Sequence, residues 1–381
     1  MKNPFIYGTP VANEFFFETP EMAEKLRKYL FSGINVLLMG PRRRGKTSFL
    51  KNFFLAEKEK GTMILDIDAL SVTSHRDFFL QLVQSLKKNK SLLQELLDIF
   101  RSIPKLRPTL EYKFDPTGDQ SFSLSLHELE NKDIKFLLLQ TFDNIFKSKR
   151  SPNEKFIVSI DEFQKVGELE DRGWLEATLR TFMQNNPEIH FIFTGSRRAL
   201  LEKMFNDPKR PFYHSCQIIN FEEFGPKFSL WVLDRLKKAG ISCEQMTVDY
   251  LRQKVDDSPY YVQMVGFHLV AQGLEKVSPS NIDETIDLIS MQSSYSYEAL
   301  LNALTPSQIR FLRMLADHGK PKWNKQDLKR YEFKSGSNIQ SAARSLVEKQ
   351  ILEKNPITKT FIFDDPLFKV WLTKKFLGGI I

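Results

Sequence analysis

Cysteine is nearly missing from this chain: Cys216 and Cys243 are the only two among 381 residues. Neither sits in a CxxC or Cys/His neighbourhood, and the six histidines are scattered. A disulfide-stapled scaffold and a structural zinc module are therefore excluded. Long hydrophobic runs are absent too. No stretch of about 20 apolar residues occurs, so no segment reads as membrane-spanning. The opening MKNPFIYGTPVANEFFF breaks its apolar residues with Pro, Gly, Asn and Glu, unlike the core of a signal peptide. These lacks predict a reducing, cytoplasmic protein without a structural metal. Internal repeats and low-complexity tracts are also missing.

What is present is an ordinary globular composition, with 27% charged residues, in a chain too long for one typical core. The net charge of +8 is unevenly placed. From Leu301 onward there are 15 Lys and Arg against 7 Asp and Glu, whereas residues 1–300 balance at 40 of each. All of the excess sits in the last fifth. Such asymmetry points to an anionic partner, most often nucleic acid, with a merely solvated lysine-rich face as the alternative.

Strand-like and helix-like stretches alternate from residue 35 to 224. INVLLMG, TMILDIDAL, KFIVSIDEF, HFIFTGS and CQIINFEEF read as strands, separated by amphipathic helices such as KTSFLKNFFLAEKEKG. That alternation predicts an α/β fold with a parallel sheet wrapped by helices. RPTLEYKFDPTGDQSFSLSL alternates on both sides of a Pro-Thr-Gly-Asp turn and reads as a β-hairpin insertion near 106–126. The division expected is an α/β core over 1–224, a purely helical lid over 225–300 and a basic domain over 301–381.

LLMGPRRRGKTSFL carries the most specific pattern. Gly40-Pro41-Arg42-Arg43-Arg44-Gly45-Lys46-Thr47 matches GxxxxGK[ST] between a strand and a helix, as a phosphate loop requires. Glycines let backbone N–H groups turn onto phosphates, and the helix start, with Ser48, adds positive potential. Lys46 is the candidate for the β- and γ-phosphates and Thr47 for Mg²⁺. The motif does not require Arg42, Arg43 or Arg44, whose charges read as solvated, with a direct role in binding the phosphates as the alternative. Asp161 and Glu162 close the strand FIVSID as candidates for the Mg²⁺ shell and for the general base. An acidic pair at that place serves equally well as a helix N-cap. Thr194 or Ser196, ending HFIFTGS, is placed to sense the γ-phosphate or the attacking water, unless Ser196 caps the next helix. One of Arg197 and Arg198 could stabilise charge, though surface charge fits them as well.

NPFIYGTPV, GPRRRGKTSF, IVSIDEFQ, FIFTGS, a helical DSPYYVQ and a basic C-terminal module together resemble the archaeal-type ATPases of the STAND branch of AAA+ P-loop NTPases, the MNS-like clade grouped with origin-binding initiator ATPases. The resemblance spans nearly the whole chain. It implies a P-loop, AAA+-like core with helical lid and winged helix, and ATP or ADP with Mg²⁺ as ligands. Gly40, Gly45, Lys46 and Thr47 are then the cradle and Asp161 with Glu162 the hydrolytic pair. Tyr7 and Pro259 are candidates near the base, with Asp257 where the family usually has glycine. Glu18-Thr19-Pro20-Glu21 stands where the family often carries Gly-Arg-Glu, so no arginine contact to nucleotide is expected there. ATP rather than GTP comes from the resemblance, alongside the lack of a guanine-reading Asn-Lys-x-Asp pattern.

Residues 305–370 divide into pieces of winged-helix size. TPSQIRFLRMLADHG opens with Thr305 as N-cap and Pro306 at the first helical position. WNKQDLKRYEF and SGSNIQSAARSLVEKQIL follow as helices, and ILEKNPITKTFIFDDP alternates like a wing turning at Asn355-Pro356. In a helix-turn-helix the third helix reads bases while flanking cations hold phosphates. That makes Asn338, Gln340 and Arg344 candidate readers, with Lys322, Lys325, Lys329, Arg330 and Lys334 as backbone contacts. Leu312, Leu315, Leu328, Leu346, Ile351 and Phe363 read as core. The partner is double-stranded DNA or, since winged helices also bind proteins, a protein; no membrane is involved, and a homo-oligomer stays open.

The sequence therefore leads to a Mg²⁺-dependent, slow ATPase switch whose nucleotide state moves a basic winged helix. The rival is a nucleotide-stabilised DNA- or protein-binding module with negligible turnover. A kinase using the same loop fits the Asp161-Glu162 pair less well.

Overall fold

The computed structural model describes residues 3–87, 93, 94, 96, 98, 109–114, 120–125, 130–147, 155–170, 172–221, 224–321, 324–355, 358 and 360–378. The chain forms two compact units. One comprises Glu18–Gly40 and Lys46–Phe221; the other comprises Met1–Phe17, Pro41–Gly45 and Glu222–Ile381.

In the first unit, α1 (Pro20–Phe31) precedes β1 (Val36–Met39), which is buried along its whole length. Then come α2 (Lys46–Glu59), β2 (Met63–Asp68), α3 (His75–Leu86), the hairpin strands β3 (Thr109–Phe114) and β4 (Gln120–Ser125), and α4 (Asn131–Lys147). β5 (Phe156–Asp161), α5 (Arg172–Asn185), β6 (Ile189–Gly195), α6 (Arg198–Asn206) and β7 (Gln217–Asn220) complete it. The sheet order is β2-β5-β6-β1-β7 and every pairing is parallel. Continuously buried, mostly apolar runs such as Phe156–Ile160, with only Ser159 polar, form such strands because helices cover both faces and leave no side for water. β3 and β4 pair antiparallel from Thr109↔Ser125 to Phe114↔Gln120, as the alternation predicted; the Pro-Thr-Gly-Asp turn lies outside the described residues.

Asn35 fixes register at the start of β1. Its side-chain oxygen accepts from Phe191 N at 2.8 Å, and its carbonyl accepts from Gln217 N at 2.8 Å. Phe163, Phe193, Phe205 and Phe212 pack as one aromatic cluster with centroids 4.4–5.8 Å apart. Each buried ring of that kind contributes roughly 1.5–3 kcal/mol relative to exposure. Parallel pairing puts the ends of β1, β5 and β6 on one edge, where open α/β sheets bind ligands.

The second unit carries helices α7 (Pro226–Lys238), α8 (Gln245–Lys254), α9 (Pro259–Ala271), α10 (Pro279–Gln292) and α11 (Ser294–Asn302). Its 225–300 stretch is not purely helical, because β8 (Ser242–Cys243) and β9 (Lys276–Val277) form a short parallel ladder. Two residues per strand are too few for a period-2 pattern to register. Next come α12 (Pro306–His318), α13 (Lys325–Arg330), α14 (Gly336–Glu348), the antiparallel β10 (Leu352–Lys354) and β11 (Phe361–Phe363), and α15 (Pro366–Leu377). Thr305 and Gln308 make a reciprocal capping box, and Gly319 closes the helix at φ 67°. Of the expected core, Leu312, Leu315, Leu346, Ile351 and Phe363 are buried, while Leu328 is only partly so.

Candidate phosphate site and basic surface

β1 ends at Met39, and Gly40 follows against Phe221. A Cβ added there would lie 3.0 Å from Phe221 Cβ, so glycine suits the approach. Gly45 takes φ +90°, a conformation glycine tolerates, and α2 begins at once. Lys46 is buried, and its Nζ donates to the Gly40 carbonyl at 2.6 Å. Thr47 Oγ1 donates to Asp161 Oδ2 at 3.2 Å, joining the first turn of α2 to the end of β5. Asp161 also accepts from the fully buried Thr194 hydroxyl at the end of β6, and its Oδ1 accepts from Glu162 N at 2.9 Å.

Glu162 stands in the left-handed region at φ 51°. Its side chain caps no helix; Oε2 accepts from Ser196 Oγ at 2.9 Å and from the Gln164 amide. Ser196 therefore does not spend its hydroxyl on capping α6, whose first turn has no side-chain cap. Gln164 was not singled out from the sequence, although IVSIDEFQ contains it. A signal appears only in three dimensions, where Gln164 is buried against Gly195.

The arginines of the loop depart from the solvated charge that the sequence suggested. Arg43, at φ 60°, donates to Tyr261 Oη at 2.5 Å and lies over the rings of Tyr260 and Tyr261. Its Nη1 is 3.4 Å from the Asp364 carbonyl, 3.5 Å from Asp364 Oδ2 and 4.0 Å from Asp365 Oδ2. Burial opposes its charge, but Tyr261, Asp365, Asp364 and Tyr260 outweigh it and raise the arginine further. Arg44 donates to the Asp257 carbonyl at 2.9 Å, and Ser258 Oγ donates to the Arg43 carbonyl at 3.1 Å. Arg42 and Arg43 are both exposed, whereas Arg44 is half-buried. Local sequence could not reveal these contacts, because the partners lie more than 200 positions away.

Asp257 occupies φ 52°, a region glycine favours and aspartate tolerates, so the departure from glycine leaves the backbone able to turn. Pro259 starts α9, and a Cβ on Gly45 would meet its ring at 3.9 Å. Tyr7 is half-buried, edge-on to Tyr260 and Phe267, with its hydroxyl 3.3 Å from His268 Nε2.

In the basic module, Asn338, Gln340 and Arg344 are exposed on α14, and Asn338 Oδ1 accepts from Ser335 Oγ at 2.5 Å. Lys325 and Lys329 are exposed on α13, and Lys334 just beyond it, whereas Lys322 lies outside the described residues. Arg330 is exposed but pairs with Asp317 at 2.8 Å. The Asp317 carboxyl is held below its ordinary range, first by the Tyr331 hydroxyl and also by Arg330.

No curated protein matches the chain. Residues 295–374 match the family model of a probable winged helix domain. The Walker-type ATPase PABY2304 of Pyrococcus abyssi superposes with a TM-score of 0.62 at 19% identity, covering 94% of this chain and 96% of that one. The Aeropyrum pernix ORC2 protein, in ADPNP–ADP complexes, gives 0.52 at 13% identity, covering 95% and 93%. The fold is thus that of AAA+ P-loop ATPases, a parallel-sheet α/β core followed by a C-terminal winged helix domain.

Proposed function

We propose that the chain is a slow, Mg²⁺-dependent ATPase switch of the STAND type whose nucleotide state repositions its winged helix on double-stranded DNA, in the cytoplasm. The observation that carries this reading is one edge of one parallel sheet. There Thr47 reaches Asp161 at 3.2 Å, Lys46 Nζ reaches the Gly40 carbonyl at 2.6 Å, and Glu162 is oriented by Ser196 at 2.9 Å. A polyphosphate suits the loop's N–H groups, with Lys46 exchanging the Gly40 carbonyl for a phosphate oxygen. Thr47 Oγ1 and Asp161 Oδ2 are hard oxygen donors matched to Mg²⁺, which takes few protein ligands and completes its shell from phosphate and water. Among the described residues no cluster of three His, Cys, Asp or Glu offers a rival metal site. Bound there, Mg²⁺ would neutralise charge on the transferred phosphate. Glu162 accepts a proton from water once Ser196 and Gln164 yield it. ATP is favoured because the ORC2 neighbour holds adenine nucleotides.

The same observation supports a second reading. A Glu162 carboxylate already accepting from both Ser196 and Gln164 suits a module that binds nucleotide without turning it over. The deciding experiment measures nucleotide affinity and steady-state phosphate release for wild type and Glu162→Gln, with and without duplex DNA. Retained binding, lost release and a DNA-dependent wild-type rate support the switch. Binding without release under any condition removes the hydrolytic role and leaves the binding module. DNA without effect on the wild-type rate and without affinity for the chain removes DNA as the partner.

A further inference from the structure

Arg43 belongs to the phosphate loop, yet it spends its charge on the winged helix. Besides Tyr260 and Tyr261 of α9, its partners are the two acids of a single corner, the junction between β11 and α15. Asp365 caps α15, accepting from Leu367 N at 2.9 Å and Phe368 N at 3.2 Å, and its other oxygen accepts from Tyr297 at 3.1 Å. Asp364 N donates to the Ile351 carbonyl at 3.1 Å, which ties the same corner to the start of the wing. The guanidinium approaches these carboxylates only at 3.5 and 4.0 Å, and its side chain is 38% exposed. It is held by the Tyr261 hydroxyl and over the Tyr260 and Tyr261 rings, but it is not bidentate to either carboxylate and stays open to solvent on one side.

We infer that Arg43 is a two-position latch, gripping the Asp364–Asp365 corner when the loop is empty and turning to the phosphates of a nucleotide when one is present. This rests on the nucleotide reading above and adds the coupling between the loop and the winged helix. A guanidinium prefers a phosphate with two properly placed oxygens over carboxylates at these distances. The loop backbone is steadied independently by Ser258 on the Arg43 carbonyl and Arg44 on the Asp257 carbonyl. The side chain can thus swing without the loop unfolding. Corner and nucleotide compete for one cation, so weakening the corner strengthens nucleotide binding, and nucleotide loosens the corner by the same factor.

The test titrates the full chain with Mg-ATP and Mg-ADP by calorimetry, comparing wild type, Arg43→Ala, Asp364→Asn with Asp365→Asn, and the triple variant. Asparagine caps helices as well as aspartate, so α15 keeps its start. The double variant should bind nucleotide about fivefold tighter, the low end of usual coupling because an exposed pair is screened. In the Arg43→Ala background the same two changes should have no effect. An unchanged double variant, or an equal gain without Arg43, overturns the latch while leaving nucleotide binding intact. A wild type that binds neither nucleotide overturns both readings. Melting curves without nucleotide give an independent measure. The losses from Arg43→Ala and from the two asparagines should be non-additive, and simple addition overturns the latch. Should the double variant fail to fold, Asp364→Asn alone is read the same way, with a smaller expected gain in affinity.

Discussion

Ser196 Oγ donates to Glu162 Oε2 across 2.9 Å, while Thr194, two residues earlier and within β6, gives its hydroxyl to Asp161. A hydroxyl of β6 and one just past its end are thus divided between Asp161, the last residue of β5, and Glu162, which follows it. Ser196→Ala should leave nucleotide affinity and melting temperature near wild type while lowering kcat about tenfold, since an orienting hydrogen bond rather than a proton acceptor is lost. An unchanged kcat in a phosphate-release assay would count against an orienting role for Ser196.

Gly195 has no room for a side chain. An added Cβ would lie 2.9 Å from Leu201 Cδ1 and closer still to Gln164 Oε1, which is buried. Gly195→Ala should cost about 1–3 kcal/mol as an overpacked core site. Denaturant titration measures it, and displacement of Gln164 should lower kcat as well.

Glu57 is buried under two cations. Arg27 reaches it at 2.7 Å and Lys60 at 2.9 Å. Burial alone would raise its pKa, but Lys60 and Arg27 outweigh burial and lower it. Its contribution is therefore present above the ordinary glutamate value and is lost as pH falls through the depressed one. Arg27→Ala leaves a buried carboxylate with Lys60 alone and should destabilise by about 3 kcal/mol, the low end for breaking such a pair. Chemical unfolding at neutral pH reads this loss.

His75 is buried edge-on to Trp174, with Nδ1 3.2 Å from Asn131 Oδ1. Burial lowers its pKa, against the opposing hydrogen bond of Asn131, and burial likewise lowers His190 and His268. The unfolded chain then binds more protons, so stability rises with pH through the window below the ordinary histidine value of about 6.5. Melting temperature should fall between pH 7 and pH 5, and His75→Gln should flatten that slope. A slope unaffected by the substitution would assign it to other groups.

On the proposed DNA reading, exposed Arg344 and Lys329 would make two different kinds of contact. Arg344→Ala should weaken duplex binding by about 1–3 kcal/mol in a sequence-dependent way, whereas Lys329→Ala should reduce the salt slope by about 1 across all sequences. Fluorescence anisotropy over a salt series distinguishes these outcomes.

Several features were legible in one dimension because they depend on residues close in the chain. The apolar run at 36–39 and the mostly apolar FIVSI at 156–160 announce buried parallel strands, and Thr305 with Gln308 announces a capped helix. The loop from Gly40 to Thr47 carries its phosphate-loop spacing openly in the sequence. Other features were not legible. The parallel ladder of Ser242–Cys243 with Lys276–Val277 is too short to leave a period. The assignment of Ser196 to Glu162 and of Thr194 to Asp161 depends on which strands become neighbours.

Sequence by itself determined where helices and strands begin, which faces turn inward and which segment carries the excess charge, since these follow from local sterics and hydrophobic period. Tertiary structure alone decided that Arg43 meets Tyr261 and the Asp364–Asp365 corner, and that Gln164 lies against Gly195. An ion pair or a tight contact between residues far apart in the chain has no local signature. Its partner is chosen only when the packing of the whole unit brings one surface against another.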